Sequence, residues 1–308
     1  MRYLTPAPQL KVSEIAVGCM RIPQTPAREV AELITGAMDS GINFFDHADI
    51  YGGGQSEEVF GTALKDTGLS RDQIVIQSKC GINRTQGPVF FDFSREHILA
   101  SVDGILSRLQ TDYLDILLLH RPDALVEPDE VAEAFTQLEK AGKVRHFGVS
   151  NQSPLQIELL QQTVTQKLLF NQLQMSLMFT GMVDAGLNVN MKNSHSVDHD
   201  NGALDYCRLK GITVQAWSPF QFGMFKGVFI DNPDFPELNT CLKEMADKYA
   251  VSPSAIATAW LLRHPVQMQV VLGTTKLSRV QDIATASSIT LSRPDWYALY
   301  RSAGNDLP

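Results

Sequence analysis

No stretch of this chain approaches the roughly 18 consecutive apolar residues of a membrane span. The opening MRYLTPAPQL has no apolar run of the signal-peptide kind, and Pro6 and Pro8 interrupt it, so the expectation is a cytoplasmic protein. Basic residues are in the minority. Lys and Arg number 26 against 34 Asp and Glu, a net charge of −8, which leaves no basic excess for a nucleic-acid backbone. Cysteine is scarce as well. Cys19, Cys80, Cys207 and Cys241 lie far apart, without metal or disulfide spacing, and read as reduced, mostly buried thiols. No GxGxxG follows a strand-like segment, which removes the main support for an open dinucleotide-binding sheet. No internal repeat, low-complexity tract or interdomain linker is present.

What is there is alternation. Strand-like runs stand at IAVGCM (15–20), NFFDH (43–47), QIVIQSK (73–79), YLDILLLH (113–120), VRHFGVSN (144–151), LFNQLQ (169–174), TVQAWS (213–218) and QVVLG (269–273). Amphipathic stretches follow them at 27–39, 56–66, 94–109, 129–141, 154–162, 202–210, 238–263 and 276–287. Ser94 and Asp129 read as helix N-caps. Strands that are apolar throughout, rather than on alternate residues, belong to parallel sheets covered by helices on the outside. Eight of them predict a single-domain α/β fold, a (β/α)8 TIM barrel spanning residues 1–308. The longest irregular piece is 180–201, and a loop of that length is usually functional or mobile. The tail 292–308 adds a last helix and an extension.

The strands finish on Asp46, Lys79, His120, Ser150–Asn151, Gln172, Trp217–Ser218 and Gly273, and in a barrel these ends share the face that carries chemistry. Four of these groups fit a proton-transfer device. Tyr51, just past Asp46, offers a phenol whose ordinary pKa near 10 is too high for efficient transfer at neutral pH. A buried ammonium at Lys79 would lower it, Asp46 would keep that ammonium charged, and His120 would orient the substrate oxygen. The plainer reading of Asp46 and Lys79 is a structural ion pair; Tyr51 and His120 in register argue for chemistry.

Several other residues have a functional and a plain reading. Strand alternation turns His47 away from Asp46, so His47 and Asp49 are expected to serve packing and loop hydrogen bonding. Gly52–Gly54 read as a flexible access loop, since a phosphate cradle would continue with Lys and Ser or Thr where Gln55 stands. His195 and His199 have metal-like spacing in a polar, solvated loop, and no metal is expected. A metal-dependent hydrolase would also want a His-x-His pair on the first strand, where IAVGCM offers none. Cys80 reads as a buried spectator. Phe90, Phe91 and Phe93 either line a pocket or pack a helix entrance. Met175, Met178, Phe179 and Met182 are expected to wall a substrate pocket.

The stretches DHADIYGGGQSEEVFG, IVIQSKCG and LDILLLHRPD, in that order, resemble the catalytic segments of the aldo-keto reductases, NADPH-dependent barrel enzymes. GKVRHFGVSN and VVLGTTKLSRVQD are similar to that family's two cofactor segments, and the resemblance covers about residues 10–290. It implies a catalytic tetrad of Asp46, Tyr51, Lys79 and His120. It further implies that Ser150, Asn151 and Gln172 hold the nicotinamide carboxamide, and that Trp217, where the family usually has tyrosine, stacks on the ring. Ser218, Phe220 and Gly223 belong to the segment that would wrap the pyrophosphate. Gly273, Thr274, Thr275, Lys276 and Arg279 would surround the adenosine 2′-phosphate, Arg279 by planar bidentate contact, which favours NADPH over NADH. Asp282 would bond the adenine amine, with Ile283 where the family often has asparagine. The implied activity is reduction of an aldehyde or ketone to an alcohol, on a small-molecule partner, by a monomer or small homo-oligomer without nucleic acid or membrane. The alternative is a non-catalytic NADP(H)-binding redox sensor on the same fold.

Overall fold

Eight parallel strands close on themselves in the computed structural model, which describes residues 1–84 and 87–308. They are β1 (Ile15–Gly18), β2 (Phe44–Asp46), β3 (Val75–Cys80), β4 (Leu114–Leu119), β5 (Val144–Ser150), β6 (Leu168–Gln174), β7 (Thr213–Trp217) and β8 (Met268–Leu272). Each pairs with its neighbours in chain order, and β8 pairs back onto β1 through Val270–Ile15 and Leu272–Val17. Helices α1 (Ala27–Asp39), α2 (Gln55–Asp66), α3 (Arg95–Leu109), α4 (Pro128–Lys140) and α5 (Pro154–Gln161) follow the first five strands in turn. The architecture is a (β/α)8 barrel. Every residue of β3 and β4 is buried, the pattern of strands enclosed on both faces.

Alternation along the strands sorts their side chains. Phe45, Ile76, Leu117 and Phe147 face the helices and join the main apolar core. Ala16, Phe44, Val75, Ile116 and Val271 form a separate cluster that includes Leu10 and Val12 of an N-terminal hairpin. That hairpin, Tyr3–Ala7 against Leu10–Ser13, is not anticipated from a sequence broken by Pro6 and Pro8. Its apolar residues join the barrel's interior layer, and Gln9 makes the turn with φ 65°. No helix among the described residues is long and apolar enough to cross a membrane.

Four expectations about local structure are corrected. The stretch 238–263 is two helices, α8 (Pro236–Tyr249) and α9 (Pro253–Leu262), parted where Ala250 turns left-handed at φ 53° and Ser252 caps α9 by accepting from the Ala255 N–H. The N-cap of α4 is Glu127, not Asp129; Pro128 takes the first helical position and Asp129 lies in the first turn. Segment 180–201 is not irregular throughout. It opens with α6 (Gly181–Leu187), held to α11 (Arg293–Ser302) by the Tyr300 hydroxyl, which donates to Asp184 at 2.6 Å, and it leads into α7 (Ala203–Lys210). Gly52–Gly54 are not a loose loop. All three adopt positive φ (60°, 66° and 98°) in a tight turn that feeds α2. Ser94 does cap α3, accepting from the His97 N–H. Helix α10 (Leu277–Ala284) follows β8.

Candidate active site

Strand alternation directs Lys79 and Gln77 of β3 to the interior beside Asp46 of β2, since Asp46 and Gln77 are paired in register. Lys79 is completely buried. Its Nζ lies 2.8 Å from both carboxylate oxygens of Asp46 and donates to the His47 carbonyl at 2.7 Å and to Tyr51 Oη at 3.1 Å. All three ammonium hydrogens are thus committed to a carboxylate, a carbonyl and the phenol. Tyr51 accepts from Lys79 and keeps its own hydrogen to give elsewhere. His120 follows β4, its ring edge-on to Tyr51 at 82° with 6.1 Å between centroids. Its Nδ1 is buried and has no hydrogen-bond partner among the described residues.

The electrostatics differ from the expectation at one point. Burial raises the Tyr51 pKa, and Lys79 only opposes that rise, so the phenol keeps its proton at pH 7. Burial works to lower the Lys79 pKa, yet the attraction of Asp46 and Tyr51 overcomes it and the net shift is upward. Burial and the Lys79 charge push His120 well below the ordinary histidine range, so its imidazole is neutral. His47 turns the other way, ring against Phe60 at 4.5 Å, with its pKa lowered to about 3 by burial and Lys79. Burial raises the Cys80 thiol well above its usual value, which suits a spectator.

Below the ion pair lies a group of four glutamine amides, of which sequence reasoning gives a role to Gln172 alone. Gln77 Nε2 donates to Asp46 Oδ1 at 2.6 Å and to Gln215 Oε1 at 2.9 Å; Gln172 Nε2 donates to the same two acceptors at 3.1 and 3.0 Å. Gln215 Nε2 returns a bond to Gln77 Oε1 at 3.0 Å and reaches Gln269 Oε1 at 2.8 Å, and Gln269 Nε2 ends on the Ser13 carbonyl at 2.6 Å. The signal available in the sequence is a glutamine two residues before a strand-end group, as in Gln77–Lys79 and Gln215–Trp217.

The residues assigned to a dinucleotide fall into two groups. Ser150, Asn151 and Trp217 are linked at the strand ends: Asn151 Nδ2 donates to Ser150 Oγ at 2.7 Å, and Trp217 Nε1 donates to Asn151 Oδ1 at 3.2 Å. Asn151 and Ser218 hold left-handed backbone at φ 57° and 53°, a conformation uncommon for residues other than glycine. Gln172 has its amide hydrogens committed to Asp46 and Gln215, which leaves Oε1 as the atom to accept from a carboxamide. Phe220 is half-buried, its carbonyl accepting from the Phe229 N–H, and the space beside Gly223 is filled by the Lys226 side chain. The second group surrounds the start of α10. Gly273 is exposed with open space beside its Cα, Thr274 Oγ1 accepts from the Lys276 N–H at 3.2 Å, and Thr275 is half-buried. Lys276 occupies the N-cap without a side-chain cap. Neither Lys276 nor Arg279 is in an ion pair among the described residues. Asp282 is bonded to the Ser252 hydroxyl, so an adenine would have to share it.

A cavity of about 330 Å³ opens beside Asn151 and Trp217, with Arg121, Gln174, Phe179 and Met182 in its lining. Of the four residues expected to wall a pocket, Phe179 and Met182 line it, while Met175 and Met178 pack into the core. Phe93 is core, filling the space a Cβ at Gly81 would need, whereas Phe90 and Phe91 are exposed. His199 lines the same cavity and His195 sits in the short turn Ser194–Ser196.

A closed parallel barrel gathers a phenol, an ammonium, a carboxylate and an imidazole at its strand ends, which makes this a (β/α)8-barrel protein with a buried cluster of titratable groups. The model of the Aldo/keto reductase family matches residues 14–302, and the chain belongs to that family. It is 35% identical to an uncharacterized oxidoreductase, YcsN, of Bacillus subtilis, over all of both chains. It is 34% identical to a 6-dehydroglucose reductase of Agrobacterium fabrum, with 98% of each covered. A thermostable aldo-keto reductase, Tm1743, solved with the inhibitor epalrestat, superposes with a TM-score of 0.78 at 23% identity, covering 98% of this chain and all of that one, a likeness of fold.

Proposed function

We propose that this chain is a cytoplasmic NADPH-dependent reductase of aldehydes or ketones, with Tyr51 as proton donor. The observation that carries this reading is the Lys79 Nζ–Tyr51 Oη hydrogen bond of 3.1 Å, which leaves the phenolic hydrogen free for a substrate oxygen. Neutral His120, its ring edge-on to Tyr51 with 6.1 Å between centroids, would steady that oxygen. Asp46 holds the ammonium in place, and the glutamines hold Asp46. Positioning supplies much of the acceleration, and proton transfer adds about 10²–10⁴-fold.

The residues present fit a dinucleotide phosphate. The uncapped start of α10 offers backbone N–H groups to an anion, and Lys276 and Arg279 stand beside it without an acidic partner among the described residues. Oε1 of Gln172, the Asn151 side chain and the Trp217 indole would hold the nicotinamide. NADPH bound there would supply the hydride that adds to the carbonyl carbon. Tyr51→Phe tests the reading. NADPH oxidation with butanal is expected to fall at least about 100-fold, while the Kd for NADPH, read by quenching of protein fluorescence, stays within about two-fold. Retention of a tenth of the wild-type turnover would refute Tyr51 as the donor.

A further inference from the structure

Arg121 directly follows His120 at the end of β4, and it is the one guanidinium lining the cavity beside Asn151 and Trp217 among the described residues. It is half-buried, with its Cζ 5.7 Å from the Trp217 ring centroid. Among the described residues it makes no ion pair and no hydrogen bond, unlike Arg71, Arg108 and Arg145, which each hold a carboxylate. A partly desolvated guanidinium without a counter-ion is costly, and its five donors in a planar fork match a carboxylate. A second donor points to the same kind of ligand. Gln174 is 8% exposed and lines this cavity, and its Nε2 is buried with no partner among the described residues. The acid in the lining, Asp200, is not paired with Arg121; burial and neighbouring Asp198 raise its pKa, and His199, also in the lining, lowers it. Burial lowers the Arg121 pKa, and the charge of Tyr51 in its ionised form opposes that, so the guanidinium lies within electrostatic reach of the phenol. His120 feels both Arg121 and Arg84 as positive neighbours.

We infer that Arg121, with the Gln174 amide, forms a subsite for a carboxylate carried by the carbonyl substrate, and so selects oxo acids and carboxylated aldehydes over neutral carbonyl compounds. The inference rests on the reductase reading above. The guanidinium would take the carboxylate in bidentate fashion while Tyr51 and His120 take the carbonyl oxygen, which fixes the substrate at both ends.

The test compares substrates in which a carboxylate replaces a methyl group: succinic semialdehyde with butanal, and 4-carboxybenzaldehyde with 4-methylbenzaldehyde. A charge-assisted hydrogen bond at this depth predicts a wild-type kcat/KM ratio of at least about 20 in favour of the carboxylated member. Most of the ratio should lie in KM. Arg121→Met should bring it to about 1, and Arg121→Lys should retain part of it, since a point charge lacks the fork. A wild-type ratio near 1 overturns the inference without any variant. So does a ratio that survives Arg121→Met. Equal losses on both substrates with weakened NADPH binding would assign Arg121 to the dinucleotide instead. Failure of the wild type to oxidise NADPH with all four aldehydes would sink the reductase reading itself, a separate outcome.

Discussion

Replacing Gln77 by glutamate changes one NH2 for one oxygen at the most tightly held point of the interior. Gln77 is fully buried, and its Nε2 stands 2.6 Å from Asp46 Oδ1. In Gln77→Glu the new carboxyl, while protonated, still donates to Asp46. It loses only the bond to Gln215 Oε1, which Gln172 continues to satisfy at 3.0 Å, so the cost is about 1 kcal/mol. Once ionised, it would set two carboxylates against each other with only Lys79 to share. Two carboxylates sharing a buried site raise one pKa strongly, and allowing for Lys79 the folded-state value should rise by about 2–3 units from 4.3. The unfolded chain releases this proton near pH 4.3 and the folded chain only near pH 6–7. Across that window the folded state holds more protons, so stability falls as pH rises, by about 3–4 kcal/mol in total. For a chain of 308 residues, at about 2.1 cal/mol/K of unfolding entropy per residue, that is roughly 5–6 °C in Tm. Thermal denaturation followed by circular dichroism from pH 4.5 to 8, mutant minus wild type, should show a small constant deficit at the acid end that deepens towards pH 8. A deficit independent of pH would mean that residue 77 does not face the Asp46 carboxylate.

Three further outcomes follow from the geometry. Because burial keeps His120 neutral and raises the Tyr51 pKa, kcat/KM for aldehyde reduction should be flat from pH 6 to 9; an acid limb near the ordinary histidine pKa of about 6.5 would contradict the neutral imidazole. Arg279→Ala should weaken NADPH by about 10-fold or more while leaving the KM for NADH within about two-fold, since only the 2′-phosphate distinguishes them; equal loss on both would move Arg279 away from that phosphate. Gly81→Ala should destabilise by about 2–4 kcal/mol in urea unfolding, since Gly81 has φ 104° and a Cβ there would lie 2.2 Å from the Phe93 ring; a loss under about 0.5 kcal/mol would mean the Phe93 ring readily gives way.

The barrel is legible in the sequence because its strands are buried on both faces, so β3 and β4 are short, largely apolar runs whose polar residues are each bonded within the fold, Lys79 to Asp46 inside the barrel and Asp115 to Arg71 outside it. What escapes the sequence is non-local or brief. The hairpin Tyr3–Ala7/Leu10–Ser13 tolerates Pro6 and Pro8, and the pair Ile82–Asn83/Phe90–Phe91 has strands of two residues each, too short for any period. The split between α8 and α9 turns on Ala250 adopting a conformation that favours glycine, and nothing in its identity announces that. The strand-end groups are legible because differing chemistries recur at one position of the repeat. Their electrostatics are not, because the sign of the Tyr51 shift depends on whether burial or Lys79 prevails, and that depends on depth. Arg121 stands in plain view within LDILLLHRPD, but only the folded structure shows that no acid among the described residues pairs with it, Asp200 of the same cavity included.

The layering of the interior bears on why a buried ion pair is there at all. One removed from water is often no more stabilising than well-packed apolar residues of the same volume, so Asp46 and Lys79 are poorly explained as structural cement. Were stability the purpose, the apolar layer of Phe44, Val75 and Ile116 would serve equally well two residues further along each strand. Instead the polarity climbs along the axis, from those residues through four neutral amides to the charged pair and then the phenol. Each amide donor on Asp46 Oδ1 offsets part of the desolvation of that oxygen without adding a competing charge. Leucine at 77 or 215 would leave the carboxylate or its supporting amides short of partners. The glutamines therefore make a charged pair tolerable at the depth where its ammonium reaches the phenol, and that placement is what the proposed proton transfer needs.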